Sequence, residues 1–117
     1  MELKFTKKNR TLIVFISGEI DHHTAEKLRT QTDQNLERMK GKNIIFCLQE
    51  VDFMDSSGIG VMIGRYKNIQ SLQGRIAVAC AGEKIQEILS LSGLGKLLPS
   101  FANLALALDY VEGRGEE

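Results

Sequence analysis

The sequence has no tryptophan and only one proline, Pro99, and its fifteen basic residues are matched by fifteen acidic ones. An excess of charge of one sign is therefore missing, and with it the global field that would gather nucleic acid or an anionic membrane surface. Recognition has to come from local patches. No apolar run approaches the roughly 20 residues that a membrane-spanning helix needs. Met1-Glu2-Leu3-Lys4 lacks the basic start and apolar stretch of a secretory signal. These absences set the expectation of a cytoplasmic protein without a membrane partner. Cysteine is scarce, and Cys47 and Cys80 both fall in apolar, strand-like runs with no CxxC spacing. That suits reduced core thiols better than a bridge or a metal site. There is no internal repeat and no low-complexity linker, and 117 residues suit one domain with one core.

What the chain does contain is a regular exchange of strand-like and helix-like runs. Leu3 and Phe5 alternate with polar neighbours, and residues 7–10 (KKNR) make a polar turn. Residues 11–17 (TLIVFIS) are apolar on both faces, so a hairpin is expected, with Gly18 ending its second strand. Ala25, Leu28, Thr32, Leu36 and Met39 recur at helical steps, with Asp21 as a candidate cap ahead of them and Gly41 as the stop. Residues 43–48 (NIIFCL) and 75–81 (RIAVACA) read as strands covered on both faces, and residues 83–91 and 102–111 as short helices. Residues 112–117 (EGRGEE) have no apolar anchor and are expected to fray as a flexible tail behind a domain spanning residues 1–111. Hairpin first, then helix and strand in alternation, predicts a single α/β domain. Its mixed sheet should have an antiparallel N-terminal hairpin and parallel later strands joined by helices in right-handed crossovers.

The chemistry concentrates in residues 51–67, VDFMDSSGIGVMIGRYK. Asp55 and Ser56 can accept from the unpaired N–H groups of a first helical turn, so a helix should open within residues 55–57. That places Ser57 at its positive end, where an anion would meet free donors and a favourable dipole. In this helix Ile59, Met62, Ile63, Tyr66, Ile69 and Leu72 form one stripe, expected in the core. The opposite face, Ser57, Gly60, Val61, Gly64, Arg65 and Asn68, is unusually small for a solvent face. Glycine costs a helix about 1 kcal/mol relative to alanine, so close packing or a docking partner must want the backbone accessible. In open sheets sites gather beyond the carboxyl ends of strands. Glu19, Asp21, Asp52, Asp55 and Ser57 are therefore expected in one acidic patch.

Several activities lack their residues. A serine nucleophile would need His22 or His23 as base, but Asp55-Ser56-Ser57-Gly58 is not the Gly-x-Ser-x-Gly elbow and no oxyanion loop is recognisable. Gly58, Gly60 and Gly64 do not have dinucleotide spacing, and no P-loop lysine follows them. His22-His23 lacks a third ligand at metal spacing. Neither a catalytic residue nor a cofactor or metal is expected.

Gly18-Glu19-Ile20-Asp21-His22-His23-Thr24-Ala25 and Phe53-Met54-Asp55-Ser56-Ser57-Gly58-Ile59-Gly60 resemble the anti-sigma factor antagonists of the STAS domain family, its sporulation branch in particular. Gly64-Arg65-Tyr66-Lys67 and Leu91-Ser92-Gly93-Leu94 extend the likeness over essentially the whole chain, with Ile20 and Ile59 where leucine is common. The resemblance implies a regulator rather than an enzyme. Its unphosphorylated form would bind an anti-sigma factor that is also a serine kinase, with ATP or ADP bound, and release a sigma factor, the sporulation sigma F. That kinase would phosphorylate the second serine of the motif, here Ser57, and a PP2C-type serine phosphatase would reverse the reaction. Glu19, Asp21, His22, Asp55, Ser56, Ser57, Gly60, Val61 and Gly64 are the expected partner-binding residues. Two other readings stay open: a STAS-type module sensing a nucleotide or anion, and an antagonist in a stress-response sigma pathway.

Overall fold

In the computed structural model, which describes residues 1–114, the chain forms one five-stranded sheet with strands in sequence order. Strand β1 (Glu2–Lys8) pairs antiparallel with β2 (Thr11–Ile20), and β2, β3 (Asn43–Met54), β4 (Ile76–Ala79) and β5 (Ser100–Phe101) run parallel. Helices α1 (Ala25–Met39), α2 (Ser56–Ser71) and α3 (Glu83–Leu91) connect these strands, and α4 (Leu104–Val111) follows the last. The α/β domain expected from the alternation is the one observed.

Alternation along the strands feeds two apolar layers. Leu12, Val14 and Ile16 of β2, with Ile44, Phe46 and Leu48 of β3, face Leu28 and Leu36 of α1, Met62 and Ile69 of α2, and Ile85 and Leu89 of α3. Ile13, Ile45, Cys47, Ala77 and Ala79 point the other way, against Ala107, Leu108 and Val111 of α4. Residues 43–48 read as a continuous apolar run because β3 is covered on both sides.

Three boundaries differ from expectation for identifiable reasons. Gly18 does not end β2: it takes φ +94°, a conformation open to glycine, and the strand runs on to the fully buried Ile20. Strand β3 runs six residues past Leu48 to Met54, because β2 continues to pair with it through two register shifts that each place an extra residue on β3. Helix α1 is stopped by Lys40, which takes the left-handed conformation. Gly41 supplies room instead, since a Cβ there would lie 2.9 Å from Leu36 Cδ1. At the C-terminus, Glu112 accepts from Asn9 Nδ2 at 2.9 Å and from Arg114 at 3.1 Å, so the expected tail begins as an ordered segment held by polar contacts. Residues 115–117 of that tail lie outside the described residues.

Candidate functional site

Two loops leave the carboxyl ends of β2 and β3 and meet. Glu19 and Ile20 pair with Phe53 and Met54, and the Asp55 N–H donates to the Ile20 carbonyl at 3.1 Å. The residues that follow each strand are therefore neighbours, as the parallel topology requires.

The loop ahead of α1 is built around Asp21. Its Oδ1 accepts from the backbone N–H of His23 (2.9 Å) and Thr24 (3.1 Å), and Thr24 Oγ1 donates to the Glu19 carbonyl at 3.0 Å. Asp21 thus shapes the approach to the helix while Thr24 occupies the cap position without a side-chain capping bond; the expected Asp21 cap lies three residues early. Desolvation pushes the Asp21 carboxyl up. Hydrogen bonds from the Thr24 N–H, the Thr24 hydroxyl and the His23 N–H, with the His23 charge, outweigh it and hold the group below the usual carboxylate range. His22 and His23 are exposed, with ring centroids 5.8 Å apart edge to face.

The loop ahead of α2 is built around Asp55. Its extended backbone and Oδ1, which accepts from Ser57 N–H at 2.9 Å and Gly58 N–H at 3.4 Å, make it the N-cap. Gly58 is buried, and a Cβ there would lie 2.7 Å from Ile20 Cγ2 and 2.8 Å from Met54 Cγ. Its absence of a side chain lets the first turn of α2 press onto the ends of both strands.

The face that α2 presents outward keeps Gly60 and Gly64 of the expected one but loses Val61 and Arg65. Val61 is 9 % exposed, and one turn later Arg65 reaches Asp33 of α1, so the line Ser57, Val61, Arg65 faces α1. Ser57 is accordingly half-buried, while Ser56 is exposed. Val61 is withdrawn from the expected docking face, and Leu72, expected in the core, is 44 % exposed. The outward line is Ser56, Gly60, Gly64 and Lys67, in which neither glycine would meet any atom within 4 Å if given a Cβ. Glu19 and Asp52, at the ends of β2 and β3, are exposed. Hydrophobic spacing could not separate these two lines, because glycine marks neither an inner nor an outer face; the charge of Arg65 pointing inward was the misleading signal.

Among the described residues no group of three His, Cys, Asp or Glu is placed to hold a metal ion, and no helix is long and apolar enough to cross a membrane. Cys47 is buried, and desolvation, with the nearby Cys80, pushes its thiol up to about 12.

A five-stranded mixed sheet with antiparallel β1 and β2 and parallel later strands joined by helices is the fold of a STAS domain, and residues 2–107 match that family. The chain belongs to the STAS domain family. It is 38 % identical over 112 residues to the anti-sigma F factor antagonist of Paenibacillus polymyxa, covering 96 % of each chain. It also superposes on the anti-sigma factor antagonist SpoIIAA in its unphosphorylated form with TM-score 0.82 and 27 % identity, over 96 % of this chain and 97 % of that one. The Bacillus cell fate determinant SpoIIAA in its phosphorylated form gives TM-score 0.72 at 27 % identity, over 94 % and 99 %.

Proposed function

We propose that this protein is an anti-sigma factor antagonist of the partner-switching kind. Unphosphorylated, it binds an anti-sigma factor that is a serine kinase with bound ATP or ADP, and this frees a sigma factor, the sporulation sigma F. Phosphorylation at Ser57 ends the interaction, and a PP2C-type serine phosphatase restores it. The single observation that carries the reading is the outward line Ser56, Gly60, Gly64, side-chain-poor and set beside the 21–24 loop. Likeness to SpoIIAA, known in phosphorylated and unphosphorylated forms, supports it. The docking set is Glu19, Asp21, His22, Asp55, Ser56, Ser57, Gly60 and Gly64, with Val61 beneath.

Ser57, the second serine of the motif, is the acceptor; it is half-buried, beside the exposed Ser56. Phosphate brings a charge of about −1.5 to −2. Each like-charge contact costs about 1 kcal/mol in water and about 4 near a protein surface. On a close-packed docking line, where the partner's facing groups must meet or desolvate the new charge, that suffices to lower affinity by orders of magnitude without any change of fold. The test is incubation with the candidate kinase and ATP, followed by mass spectrometry of the peptide containing both serines, in wild type, Ser56→Ala and Ser57→Ala. Label lost only in Ser57→Ala fits the reading; label lost only in Ser56→Ala moves the acceptor one residue back; no label in wild type removes the switch.

A further inference from the structure

Arg65 is a charged residue held almost out of solvent. Its side chain is 12 % exposed, and its Nε lies 3.1 Å from Asp33 Oδ1 on α1. The approach satisfies an ion pair but not hydrogen-bond geometry: Arg65 Nε and Nη1 and Asp33 Oδ1 are all buried without a hydrogen-bond partner among the described residues. Asp33 is also 3.8 Å from Arg29, itself bonded to Glu26. A pair so poorly satisfied is a weak source of stability, because desolvation offsets its attraction; the best-attested use of such pairs is to fix a register.

The position of this pair suits that use. Helices α1 and α2 both descend from the carboxyl ends of parallel strands, so they run side by side in the same direction. Asp33 lies eight residues beyond Ala25, and Arg65 nine beyond Ser56, so at 1.5 Å per residue each charge sits about 12–14 Å below its helix start. A bridge at equal depth opposes sliding of one helix along the other. The two helix starts carry the 21–24 loop and the Asp55-Ser56-Ser57 cap, which are the two halves of the candidate site.

We propose that Arg65 and Asp33 form a register lock between α1 and α2, making Arg65 a positioning residue for partner docking rather than a contact or a stability element. The inference rests on the docking function above. It is tested with Arg65→Met, Asp33→Asn and the double variant, by melting temperature, backbone amide NMR shifts of residues 21–24 and 55–58, and affinity for the anti-sigma kinase. Arg65→Met leaves Asp33 only the more distant Arg29 and lowers the melting temperature. The double variant restores it, yet keeps the displaced amide shifts and binds at least tenfold more weakly than wild type. Recovery of shifts and affinity together with the melting temperature would show a merely structural pair and overturn the proposal. If the double variant fails to fold, Arg65→Lys decides: a lysine that keeps the charge pair retains shifts and affinity, and one that loses both while folded overturns it. Wild type that binds no kinase would reject the function, while the amide shifts still judge the lock.

Discussion

The Asp55 amide donates to the Ile20 carbonyl across 3.1 Å, joining the end of one parallel strand to the cap of the helix that leaves the next. That bond makes one surface of two segments more than thirty residues apart. It also couples the shape of the 21–24 loop to the pose of Ser56. A partner that reads both halves reads their relative position.

Charge in the first helical turn should act without disturbing the fold. Ser57→Asp keeps the melting temperature and weakens kinase binding about five- to a thousandfold, the span of one like-charge contact across the interface from water to a protein surface. Isothermal titration calorimetry on Ser57→Asp and Ser57→Ala measures the difference, and equal affinities would refute the electrostatic account.

Three glycines of α2 should separate by role. Gly60→Ala and Gly64→Ala meet open space, so each stabilises the helix by about 0.5–1 kcal/mol. Gly58→Ala drives a methyl into Ile20 and Met54 and destabilises by about 1–3 kcal/mol. Urea melts rank the three, and binding of the first two reports whether their faces are docking surface: a methyl at either is expected to reduce affinity despite the more stable fold.

Removing the Asp55 cap leaves the Ser57 and Gly58 amides without their carboxylate. Asp55→Ala should cost about 1 kcal/mol and several degrees of melting temperature. Asp55→Asn, which keeps the accepting oxygen, should cost far less in the same thermal melt.

The 21–24 loop should loosen in acid. The Asp21 carboxyl is held below its ordinary value, so the order it provides is present above the unfolded pKa and is lost as pH falls through the lowered, folded value. NMR titration should show the Asp21 carboxyl shifting later than other aspartates on acidification, with the His23 and Thr24 amides moving alongside it. Loss of those amide shifts already at the unfolded pKa would contradict it.

Alkali should act on Cys47 in the opposite sense. Its thiol is raised to about 12, so its contribution is full below the unfolded thiol pKa and is lost as pH rises toward 12. Near neutral pH the thiolate needed for alkylation is almost absent. Iodoacetamide should therefore label the half-buried Cys80 first and Cys47 only on unfolding, as read by mass spectrometry.

Local chemistry was enough for those features whose cause lies within a few residues. Asp55 opens α2 because a carboxylate two and three residues before free amides caps them wherever the chain goes. Ala25, Leu28, Thr32 and Leu36 define α1 because their spacing puts them on one side, and residues 43–48 are a strand because nothing polar interrupts them. Tertiary contact decided the rest. Whether β3 stops at Leu48 or runs to Met54 depends on how far β2 keeps pairing with it, and the short β5 exists only through β4. Which line of α2 faces outward depends on α1, whose Asp33 draws Arg65 inward, takes Val61 and Ser57 with it, and leaves Ser56 in the open. A sequence carries spacing along its own helix, but the angle at which that helix is turned is set by its neighbours, and with glycine at the deciding positions no side chain was present to announce it.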